Sequence, residues 1–199
     1  MAEVPERHPK DGQLILRLPC QRDFEDWLEH QHESVSAVWL MLAKAGNPAP
    51  SITYADAVEA ALCFGWVDGL ARRWDDGWYV QRFTPRRSRS VWSKINVDKA
   101  EKLISEGRMR SPGLAAIERA KAAGFWEAAY EGPADIEVPA DLQEFLDSHP
   151  DAAAFFATLS SQNRYAFLFR LKTAVRPATR QQRLQRFTAM LAAGEKFYP

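Results

Sequence analysis

Hydrophobic positions change their spacing several times along the first ninety residues, and each change marks an element. Leu14, Leu16 and Leu18 alternate with other residues through Gln13–Leu18, a period of two that predicts a strand with these leucines on one face. Pro19 ends it. In Gln21–Glu33 the spacing becomes helical, with Phe24, Trp27 and Leu28 at i, i+3 and i+4. Ser36–Leu42 (SAVWLML) is a short apolar run that reads as a second strand, and Lys44–Pro50 (KAGNPAP) reads as a loop. A second helix is predicted over Thr53–Phe64. Thr53 is placed to cap it, Asp56 stands three residues on, and Gly65 suits the left-handed position beyond its end. Val67–Trp74 and Trp78–Phe83 flank the turn-forming triplet Asp75-Asp76-Gly77 and predict a β-hairpin. That hairpin is expected to set Arg72 opposite Arg82, or Arg73 opposite Gln81.

Beyond the hairpin the pattern is helical. One helix is predicted from Ser93 or Asn96 to near Glu106, closed by Gly107. Another begins at Ser111-Pro112 and stops at Gly124. Glu131–Ala140, with two prolines and three acids, reads as a linker. Helices over Asp141–Ser148, Pro150–Leu159, Ser161–Val175 and Arg180–Ala193 follow, the last capped by Thr179 with Gln182 three residues on. Strands first and helices later predict an α+β fold: a small antiparallel sheet with packed helices in the N-terminal half, and an all-helical C-terminal half. The expected domains are 13–131 and 140–199.

Composition changes this picture little. Apolar content of 46% is enough for a buried core, and a net charge of zero selects no partner. The distribution of charge says more. Residues 1–63, 64–121, 122–163 and 164–199 carry net −5, +6, −8 and +7. Such alternation means either internal pairing of acidic and basic segments or separate basic surfaces. Cys20 and Cys63 are too few for a disulfide framework. The charged N-terminal segment lacks a signal-peptide core, and no apolar run approaches the roughly 18 residues that span a bilayer. A cytoplasmic protein without membrane insertion is expected.

The richest stretch is Phe64–Asn96, which holds Trp66, Trp74, Trp78 and Trp92 and six arginines: Arg72, Arg73, Arg82, Arg86, Arg87 and Arg89. His8, His30, His32 and His149 all lie outside it, and the chain has no Cys-x-x-Cys, phosphate loop or GxGxxG. No catalytic residue, metal or cofactor is therefore expected. Cys63 reads as a core thiol at a helix end, where the negative end of the dipole disfavours a thiolate. Asp68 has three readings: a salt bridge to Arg82 or Arg86, an anchor for an arginine within a binding site, or a general base. The Arg82–Lys94 cluster also has three. Its tryptophans can form core while its arginines pair with acids. It can hold a small anion through bidentate contacts, or bind nucleic acid by phosphate neutralisation and base stacking. The second basic run, Arg176–Arg186, opposes the dipole of its own helix and calls for an acidic partner or a bound anion.

Ala61-Leu62-Cys63-Phe64-Gly65-Trp66-Val67-Asp68-Gly69, then Arg82-Phe83-Thr84-Pro85-Arg86, Trp92-Ser93 and Asn96, resemble the YdeI/OmpD-associated family. The C-terminal run from Lys172-Thr173-Ala174 through Thr179-Arg180, Arg183 and Met190-Leu191 to Gly194 resembles the end of the same family, also called bacteriocin-protection. The resemblance implies a link to a porin, to envelope stress, or to resistance against bacteriocins and other antimicrobials, and it implies no catalytic residue. The expected function is a non-enzymatic binding protein that takes an anionic small molecule or protein partner at Trp66, Asp68, Arg82, Arg86, Trp92 and Asn96. The alternatives are a nucleic-acid-binding protein and an enzyme using Asp68.

Overall fold

Five consecutive side chains, Val38–Leu42, are almost wholly buried, which places this run inside a sheet covered on both faces. The computed structural model describes residues 6–132, 135–174 and 176–199. Its elements are β1 (Ile15–Leu16), α1 (Gln21–Gln31), β2 (Val38–Ala43), α2 (Tyr54–Cys63), β3 (Trp66–Arg73), β4 (Trp78–Pro85), α3 (Lys94–Ser105), α4 (Ser111–Ala122), α5 (Ala140–Ser148), α6 (Pro150–Thr158), α7 (Ser161–Lys172) and α8 (Pro177–Ala192). The fold is α+β, with the sheet in the N-terminal half and helices alone in the C-terminal half. The chain divides into two compact units. One comprises Met1–Trp92 with Asn96–Ala128, the other Ser93–Ile95 with Ala129–Pro199.

The sheet of the first unit has the order β1-β2-β4-β3. It is mostly antiparallel, but β1 pairs with β2 in parallel, Ile15 opposite Trp39. A helix separates these two strands, and a helical crossover returns the chain in the same direction. Within β1 it is Ile15 that is buried, while Leu14, Leu16 and Leu18 are half-buried, so the expected leucine face is displaced by one residue. On one side of the sheet Phe83 meets Phe24 of α1 edge-to-face at 5.6 Å, and Trp66 meets Trp27 at 6.0 Å. The other side carries Ile15, Trp39, Met41 and Val80, with Trp74 and Trp78 packed against them. An N-terminal arm covers part of this side: the His8 ring stacks on Trp39 at 4.4 Å, and Asp11 accepts the Trp39 indole N–H at 3.1 Å.

The hairpin forms where its turn chemistry predicts. The Asp75 carboxylate accepts the N–H groups of Gly77 and Trp78, each at 2.8 Å. Its register differs from expectation. Asp68 pairs with Phe83 but Ala71 with Gln81, so Gly69 and Leu70 together oppose Arg82. This bulge carries Arg72 opposite Val80 and Arg73 opposite Tyr79. The buried Gln81 amide fills the gap by donating to the Gly69 carbonyl at 2.9 Å.

Local signals also place α2. Thr53 accepts the Asp56 N–H, its hydroxyl donates to the Asp56 carboxylate, and Gly65 follows with φ +69°. Gly65 and Gly113 let α4 approach the end of α2 closely. A Cβ on Gly113 would lie 2.3 Å from the Cys63 carbonyl oxygen, and one on Gly65 would lie 2.8 Å from the Pro112 carbonyl oxygen.

In the second unit α5–α8 surround Leu142, Leu146, Phe156, Phe167, Leu171, Phe187 and Leu191. Helix α5 starts at Ala140 behind Pro139, one residue ahead of the expected Asp141. Helix α8 starts at Pro177 behind Arg176, ahead of the expected Thr179 cap, because proline is well tolerated at a first helical position. Val175, the expected end of α7, lies outside the described residues, as do residues 1–5 of the arm and 133–134 of the linker. Part of the alternating charge pairs within each unit: Arg108 with Glu25, Glu59 and Glu106, Arg180 with Asp141, and Lys172 with Glu131.

Candidate functional site

The loop leaving β4 folds back through its own backbone. The Arg86 N–H donates to the Gly65 carbonyl at 2.9 Å, and the Ser90 N–H donates to the Arg87 carbonyl at 2.9 Å. The Ser90 hydroxyl accepts the Arg87 N–H, also at 2.9 Å. These bonds turn the Arg86 side chain inward. It is 7% exposed, its guanidinium carbon lies 3.7 Å from the Trp92 ring centroid, and its Nη1 donates to the Val91 carbonyl at 3.3 Å. A guanidinium over an indole face is a favourable cation–π arrangement. Trp92 is held from another side by Trp126, edge-to-face at 4.9 Å.

Around this stack Arg86, Arg87, Ser88, Ser90 and Trp92 share a small concavity with Ala116, Arg119 and Ala120 of α4. Arg87, Arg89 and Arg119 are exposed and form no ion pair among the described residues. The exposed guanidinium groups of Arg87 and Arg119, both bordering this hollow, offer forked N–H donors to a carboxylate or phosphate. The close approach at Gly65 and Gly113 is what brings Arg119 to this loop.

Of the six residues expected to form a site, only Arg86 and Trp92 meet in this way. Trp66 is buried under Trp27. Asp68, on the same face of β3, accepts the Tyr54 hydroxyl at 2.7 Å, and no ion pair among the described residues joins it to Arg82 or Arg86. Arg82 points to the opposite face of the sheet, since it neighbours Phe83 along β4 and side chains alternate. There its Nε donates to Gln13 at 2.9 Å and its charge helps to steady the arm. Burial pushes the Asp11 carboxyl up, but the Gln13 N–H, the Trp39 indole, His8 and Arg82 outweigh it and hold it below its ordinary value. Asn96 lies half-buried in the first turn of α3.

Arg119 was not predicted. It sits thirty residues from the loop, and the only sequence signal is Gly113, a weak helix former directly after the helix-starting Pro112 and so a mark of close backbone approach. Cys63 is buried, and burial pushes its thiol up to about 11, which suits a core residue. Among the described residues no group of three His, Cys, Asp or Glu is placed to hold a metal, and no helix is long and apolar enough to cross a membrane.

Comparison with known proteins divides the chain as the structure does. No curated protein and no solved structure matches it. Residues 135–194 match the family described as "Bacteriocin-protection, YdeI or OmpD-Associated". Residues 16–116, just over half the chain, match a family described as a domain of unknown function (DUF8412), and the Gly65–Gly69 and Arg82–Arg86 motifs fall in that match. The chain therefore belongs to the DUF8412 family through its sheet-bearing part, and carries in its C-terminal helices a YdeI/OmpD-associated, bacteriocin-protection domain.

Proposed function

We propose that this is a non-enzymatic binding protein that contributes to bacteriocin or antimicrobial protection by taking up an anionic ligand at the surface between Arg87 and Arg119. The observation that carries this reading is the loop geometry. Arg86 is committed to Trp92 and the backbone, and it fixes a turn that presents Arg87, Ser88 and Ser90 toward Arg119. Exposed guanidinium groups in no ion pair keep their charge for a ligand, and a preformed loop loses little entropy on binding. In this reading the protein meets its ligand in the cytoplasm.

Isothermal titration with inorganic phosphate and with a short oligonucleotide tests the proposal. Arg87→Gln with Arg119→Gln should weaken binding by more than about tenfold at unchanged thermal stability, because both side chains are exposed. Undiminished binding in the double variant would refute the site. An oligonucleotide affinity that falls steeply with added salt and is lost in the same variant would identify the anion as nucleic acid. Cells expressing the double variant should lose whatever bacteriocin protection the wild type confers.

A further inference from the structure

A second concave region lies at the other end of the hairpin and is independent of the first. The arm folds on itself: the His8 N–H donates to the Gln13 carbonyl and the Gly12 N–H to the His8 carbonyl, both at 2.8 Å, and Arg7 bridges to Leu14. His8, 5% exposed, is wedged against Trp39 and lies 6.4 Å from the Trp74 ring. The arm segment His8–Lys10 thus forms one wall of a groove of about 560 Å³, and Ala71–Trp74 at the end of β3 forms the other. This volume falls in the range of small-molecule sites, roughly 300–1,000 Å³.

The lining combines two chemistries. Trp74 packs on the Ile15, Trp39, Met41 and Val80 cluster and keeps part of its surface for the groove. Lys10 and Arg72, one from each wall, are exposed and form no ion pair among the described residues, whereas Arg73 is engaged by Asp76. A flat π surface beside two available cations suits a ligand with an aromatic ring and a phosphate.

We infer that this groove binds a nucleoside phosphate, with its base against Trp74 and its phosphate between Lys10 and Arg72. The arm then has a role beyond covering the sheet, since it supplies one of the two cations. An aromatic base without phosphate would keep only the stack, and phosphate alone would keep only the charge contacts.

Titration with adenosine 5′-monophosphate, adenosine and inorganic phosphate, followed by tryptophan fluorescence and calorimetry, tests this. The monophosphate should bind at least about tenfold more tightly than either fragment, and Trp74→Ala should weaken it about tenfold. Trp74 also contributes to packing, so Lys10→Gln with Arg72→Gln provides a surface-only variant that should weaken the monophosphate to the level of adenosine. In an Arg87→Gln, Arg119→Gln background, which removes anion uptake at the other loop, the monophosphate should still bind and Lys10→Gln with Arg72→Gln should still weaken it. A monophosphate no tighter than phosphate, or unaffected by Lys10→Gln with Arg72→Gln, would overturn the inference. Loss of binding only in the Arg87 and Arg119 variant would assign the ligand to the other site and equally overturn it.

Discussion

Gly113→Ala tests the contact that builds the candidate site. An added Cβ would lie 2.3 Å from the Cys63 carbonyl oxygen, 2.9 Å from its carbonyl carbon and 2.6 Å from the Met109 sulfur. The thioether can swing away. The carbonyl cannot, because it ends α2 and accepts the Arg110 N–H at 3.1 Å. Reaching an ordinary separation of about 3.5 Å requires α4 to move by about 1 Å. Overpacking of this kind costs up to about 3 kcal/mol. Alanine returns about 1 kcal/mol of helix propensity relative to glycine. The net loss is about 2 kcal/mol, equivalent to a fall in melting temperature of about 4–8 °C for a chain of this size. Thermal unfolding followed by circular dichroism reads it directly. The sign is decisive: without the clash, propensity alone would make the variant more stable, so an unchanged or raised melting temperature would refute the close α2–α4 packing. The same displacement should weaken anion binding, since Arg119 rides on α4.

Trp92→Ala removes both the Arg86 stack and the Trp126 contact and should cost about 3–5 kcal/mol in urea denaturation, with Trp92→Phe costing less. In the second unit, Arg180 donates to both Asp141 oxygens, at 2.8 and 2.6 Å, and to the Leu171 carbonyl at 2.8 Å. Because the pair is about a third exposed, Arg180→Ala should cost only about 1 kcal/mol. Asp141→Asn should cost less, since the Leu171 bond survives, and equal losses would contradict this. Burial raises the Cys63 thiol from 9.0 to about 11, so on raising the pH the unfolded thiol ionises first. Its contribution to stability is therefore intact below pH 9 and is lost between pH 9 and 11. Cys63→Ala should flatten that part of the stability profile, leaving the decline above pH 10 to which Tyr79 and Tyr165, both raised by burial, contribute. Matching slopes in wild type and variant would contradict it.

What was legible in the sequence was what neighbouring residues decide. Thr53 with Asp56, Gly65 after α2 and Asp75-Asp76-Gly77 in the hairpin each act over three or four residues, and each does what its chemistry predicts. Misplaced features depend on distant partners. The Gly69–Leu70 bulge is compensated by Gln81 on the next strand, so the register of Arg72 and Arg73 cannot be read from the turn alone. Ile15 rather than its leucine neighbours is buried because Trp39 and Val80 lie on that side. Parallel pairing of β1 with β2 was available from the intervening helix. The candidate site shows the same division. Arg86 and Trp92 stand out as a dense local cluster, but Asp68 and Arg82, close in the hairpin, point to opposite faces, and Arg119 joins only through the α2–α4 contact.

Amide and arginine side-chain resonances give the most direct test of anion binding at this loop. Titration with inorganic phosphate should produce saturable shifts at Arg86–Trp92 and Arg119, and these should vanish in the Arg87→Gln, Arg119→Gln variant. Shifts spread without saturation over many lysines and arginines, or absent from the loop, would contradict it.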